Sequence, residues 1–70
     1  MREQLIHAVM AHAEGQLAVR ETNVEVYLHN PAGIGEHSDV VEAITSEVEK
    51  MAHWHDVIET MQTYFIEDSE

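Results

Sequence analysis

Apolar residues recur at helical spacing on both sides of a short central stretch that breaks the pattern. In the first segment Ile6, Met10, Ala13, Leu17, Arg20, Val24 and Tyr27 follow one another at alternating steps of four and three. This is a heptad seam interrupted only by Arg20. Leu5, Val9 and Leu28 widen the stripe to the breadth of a bundle helix. The pattern predicts a helix over about residues 2–29. A competing reading exists for Thr22 to Leu28, where apolar and β-branched residues alternate as in a strand. The chain offers no second strand for it to pair with, so helix is the preferred assignment.

The break is Asn30-Pro31-Ala32-Gly33-Ile34-Gly35-Glu36-His37-Ser38-Asp39, which holds the only proline and two of the three glycines. Pro31 lacks an N–H and disfavours helical geometry at Asn30, so the first helix is expected to stop there. Gly33 and Gly35 can take positive φ in a turn. Ser38 or Asp39 is placed to cap a second helix, and Asp39-Val40-Val41-Glu42 has the spacing of a capping box. The second helix is expected over about residues 39–67, with a seam of Val41, Ile44, Val48, Met51, His55, Ile58, Gln62 and Phe65. Trp54, Met61 and Tyr64 would flank that seam. Trp54 reads equally as core at the edge of the stripe or as an exposed interface anchor. The tail Glu67-Asp68-Ser69-Glu70 sets acid at the negative end of the helix dipole, which favours fraying.

The expected fold is therefore all-α: one domain over residues 1–70, an antiparallel two-helix hairpin with its bend at 30–38. Seventy residues is short for an isolated core, and such scaffolds usually need a staple. Without cysteine, disulfides and thiolate metal sites are excluded. Each apolar stripe is wider than one neighbouring helix can cover. The reading is a homo-oligomer, most simply a dimer forming a four-helix bundle. The expected oligomer interface is Leu17, Val24, Tyr27, Val48, Met51, Trp54 and Ile58. Gly15 either admits a close helix approach, marks a bend, or is a tolerated surface glycine.

Fourteen Asp and Glu against three Lys and Arg give a net charge of −11. Such a surface repels phosphate backbones and anionic membranes, which argues against nucleic-acid or lipid binding and leaves a basic protein partner or cations. No segment has the roughly 18 apolar residues of a membrane span, and the N-terminus does not read as a signal peptide. The expectation is a soluble, cytoplasmic protein.

Six histidines are the most suggestive chemistry. Glu3–His7, Glu25–His29 and Glu49–His53 stand four apart and would share helix faces. Paired helices can bind metal in this way. However, Glu-x-x-His and HExxH are both missing, so no metal site or cofactor is assigned. Histidine titrates near pH 6.5, and protonating all six would take the formal charge from −11 to −5. Self-association is then expected to tighten at mildly acidic pH. No nucleophile–base pair stands out and a narrow hairpin offers no evident pocket, so the chain does not read as an enzyme. Arg20 is expected to pair with Glu47 or Glu49 across the hairpin, its stem packed on apolar neighbours. In the bend, Ile34 is either a plug against the helix ends or, with Gly35, Glu36 and His37, a contact loop for a partner.

The stretch from Val26 to Ile44 resembles a segment reading VYLxNPxGIGEHxDxxEAI in small acidic proteins of marine T4-like tailed phages. The resemblance covers the middle third of the chain strongly and the rest by pattern. Those proteins often carry proline at the position of Ser38. The resemblance implies a viral origin and a setting in the host cytoplasm, with no activity to transfer. The favoured reading is a non-enzymatic, self-associating interaction module. The alternative is an acidic phage modulator that occupies a basic, nucleic-acid-binding surface of a host protein.

Overall fold

The computed structural model describes residues 1–30 and 39–66. They form two helices, α1 (Arg2–His29) and α2 (Val40–Tyr64), packed along each other, with no strand among the described residues. The molecule measures 48 × 18 × 17 Å, the proportions of a hairpin whose arms are about 40 Å long at 1.5 Å per residue. Thr22 to Leu28 are helical. The bend from Pro31 to Ser38 lies outside the described residues, including the expected contact loop Ile34, Gly35, Glu36 and His37.

The helix ends follow from local chemistry. Asn30, ahead of Pro31, has left the helix with φ −146° and ψ 71°, and its N–H still donates to the Val26 carbonyl. His29 Nδ1 lies 2.8 Å from the Glu25 carbonyl oxygen, at the negative end of the α1 dipole. Asp39 caps α2: its carboxylate accepts from the Glu42 N–H at 3.1 Å. α2 stops at Tyr64 rather than near residue 67. The Phe65 and Ile66 N–H groups both turn back to the Met61 carbonyl, at 2.9 and 3.1 Å. The last turn of α2 carries no basic residue, so its own side chains do nothing for its negative end. Arg2 supplies the missing charge from the other helix, donating to the Phe65 carbonyl at 3.0 Å. That contact ties the N-terminus of α1 to the C-terminus of α2, as the antiparallel packing allows.

The α1 seam lies where its spacing puts it. Ala13 is fully buried, and Ile6, Met10, Leu17, Arg20, Val24 and Tyr27 are half-buried. Leu5, Val9 and Leu28 do not join them and are exposed. The α2 seam differs from the expected one. Its inward residues are Val40, Ile44, Glu47, Met51, Trp54, Ile58 and Met61, again at steps of four and three. Ala43, Ser46 and Val57 flank them, half-buried. Val41, Val48, His55, Gln62 and Phe65 are exposed instead. The cause is Glu47, a charged residue that occupies a seam position because Arg20 faces it across the hairpin.

Candidate interaction surfaces

A polar cluster sits in the helix contact, nearer the C-terminal end of α1 and the N-terminal end of α2. Arg20 Nη1 donates to both Glu47 carboxylate oxygens, at 3.1 and 3.4 Å. The Asn23 amide donates to Oε1 at 3.0 Å, and Lys50 Nζ reaches Oε2 at 3.5 Å. Glu47 is only 8% exposed. Its carboxyl is held below the ordinary value of 4.5, first by the hydrogen bond from Asn23, and also by the charges of Arg20 and Lys50; desolvation opposes both. Arg20 Nε is buried with no hydrogen-bond partner among the described residues. A satisfied acid beside an incompletely satisfied base adds little net stability, but it penalises every register that separates them. Of the two expected partners for Arg20, the structure selects Glu47.

Trp54 is half-buried in the seam, with two imidazoles edge-on to it. The His12 ring lies 5.3 Å away across the hairpin and the His53 ring 4.7 Å away on the same helix. Of the expected Glu–His pairs, Glu25–His29 closes to 3.6 Å, and His55–Glu59 adds one at 3.8 Å. Both are solvent-exposed and worth little. Among the described residues no three His, Asp or Glu side chains converge to hold a metal ion.

Besides one at the pole closed by Arg2, beside Glu3, His7 and Ile66, two more open grooves flank the seam. One is lined by Leu5, Ile6, Val9, Met61 and Phe65 near the closed pole and is almost wholly apolar. The other, on the opposite side, is lined by Leu17, Glu21, Val48, Met51, Ala52 and His55. Of the residues expected to form an oligomer interface, Leu17, Val24, Tyr27, Met51, Trp54 and Ile58 are half-buried on the α1–α2 side. Val48 remains 45% exposed. The two exposed backs of the hairpin differ in chemistry. On α2 the exposed Glu42, Glu49 and Asp56 repeat every seven residues along one line. On α1 the carboxylates Glu3, Glu14, Glu21 and Glu25 share one flank, and the opposite flank carries none.

Comparison of the chain with family models, with curated proteins and with solved structures finds no match. No helix is long and apolar enough to cross a membrane, among the described residues.

Proposed function

We propose that this chain is a non-enzymatic helical interaction module that works as a self-associated assembly of hairpins, most simply a dimer. The observation that carries the reading is how little one hairpin buries. Ala13 is the one fully buried apolar residue, and no large side chain is completely enclosed among the described residues. Packing one hairpin on another would cover the faces that a single pair of helices leaves open. The phage origin implied by the central motif belongs to the same proposal and rests on that resemblance alone.

The alternative, an acidic modulator on a basic nucleic-acid-binding surface, draws on the Glu42–Glu49–Asp56 row. Seven residues of helix advance about 10.5 Å, against a 3.4 Å rise per phosphate along one DNA strand. A row this sparse supports an ordinary solvated face better than a phosphate mimic.

Sedimentation equilibrium across the micromolar range tests the reading. The expected mass is about 16 kDa, twice the 8.0 kDa chain. A folded 8.0 kDa species throughout that range overturns it.

A further inference from the structure

α1 carries a second heptad seam. Leu5, Ala8, His12, Gly15, Val19, Thr22 and Val26 follow one another at alternating steps of three and four, and every one is exposed. At 3.6 residues per turn this line lies about 150° around the helix from the seam that faces α2. It contains no carboxylate, amine or guanidinium, on a chain of net charge −11. It holds large exposed apolar side chains at both ends, Leu5 at 58% and Val26 at 51%, with Val19 at 46%. Near its midpoint stands Gly15, above which a Cβ would meet nothing within 4 Å. The hairpin itself makes no use of that glycine.

We propose that a second copy of this chain docks along this face, the two α1 helices running antiparallel and crossing at Gly15. The proposal rests on the self-association argued above and names its surface. Three observations select a second copy as the occupant. The first is how little the hairpin encloses, with Ala13 its one fully buried apolar residue among the described residues. The second is charge: two chains of like sign can approach without juxtaposing carboxylates only along the charge-free flank. The third is self-complementarity about Gly15, as an isologous two-fold contact requires. In that arrangement Leu5 meets Val26 of the second copy, Ala8 meets its Thr22 and His12 meets its Val19. Large side chains oppose large ones and small oppose small, with two glycines where the helices come nearest. The apolar groove of Val9, Met61 and Phe65 borders the same side and extends the contact.

The full chain is compared with three variants by sedimentation equilibrium and far-UV circular dichroism. Val19→Glu puts a charge in the proposed face. Val48→Glu puts the same charge at a valine of matching exposure, 45% against 46%, on the other flank. Gly15→Cys introduces the only thiol of a chain without cysteine. The expected result is a dimeric wild type and Val48→Glu variant, with Val19→Glu weakened on the order of a hundredfold or more in Kd. A Val19→Glu chain that also loses helicity while Val48→Glu keeps it supports the proposal equally. Gly15→Cys should form a covalent dimer under mild oxidation, since the crossing brings two copies within disulfide reach. A dimer that survives Val19→Glu, or one broken by Val48→Glu alone, overturns the face and leaves self-association standing. A monomeric wild type overturns both.

Discussion

At the scale of single residues, the contact between Arg20 and Glu47 sets the terms. Removing one partner strands the other in the seam. Arg20→Leu is expected to cost about 2 kcal/mol in urea unfolding, below the figure for a fully enclosed pair because Arg20 retains some exposure. Arg20→Leu combined with Glu47→Leu should recover most of that loss, since a matched apolar pair of similar volume needs no desolvation. A double variant as unstable as the single one would mean the polar cluster contributes more than geometry. Glu47 also sets a pH dependence. Its folded value lies below its unfolded value, so the stability it contributes is present above about 4.5 and lost as pH falls through the folded value. Thermal unfolding at pH 6 and pH 3 should therefore show a smaller difference for Glu47→Gln than for the wild type. The comparison between variants removes the contribution of the other carboxylates, which are common to both.

At the scale of elements, each helix shows what a heptad pattern can and cannot convey. The α1 seam was legible because six of its seven positions are apolar and the seventh, Arg20, is flanked correctly on both sides. The α2 seam lies one residue earlier than apolarity alone predicts, at one of its two positions in each heptad. Val48 stands next to Glu47, and apolarity alone prefers the valine. One residue is a rotation of about 100°, enough to bring Val41 and His55 inward on paper while Trp54 and Met61 move to the edge. The signal that resolves this was present in the pairing of Arg20 with Glu47. Placing Glu47 in the seam draws Val40, Ile44, Met51, Trp54, Ile58 and Met61 into line with it. The expected contact loop at Ile34 to His37 lies outside the described residues. The second α1 seam is hard to read because four of its seven residues are small or polar, and it emerges only once the first seam is known to be occupied. For α2, the cap is testable: Asp39→Ala should destabilise the hairpin by about 1 kcal/mol, read as a shift in the urea midpoint with an unchanged slope.

At the scale of the whole molecule, charge and apolar surface oppose each other. A chain of net −11 resists a second copy at long range, while the unburied surface favours it at contact. Added salt shortens the reach of the repulsion and leaves the apolar contact intact. Dimer affinity should therefore rise between roughly 20 mM and 500 mM sodium chloride, a span over which the screening length falls severalfold. An affinity that falls with salt would assign the association to ion pairs and not to the uncharged flank. The melting temperature should climb with protein concentration for the same reason that mass does, because binding and folding are linked.

The bond from the Arg2 guanidinium to the Phe65 carbonyl brings the start of one helix beside the finish of the other. A donor dye at one terminus and an acceptor at the other would sit close only while the two arms are clasped. Energy transfer between them would report the clasping of a single chain directly, without touching the flank of α1 proposed to meet a second copy.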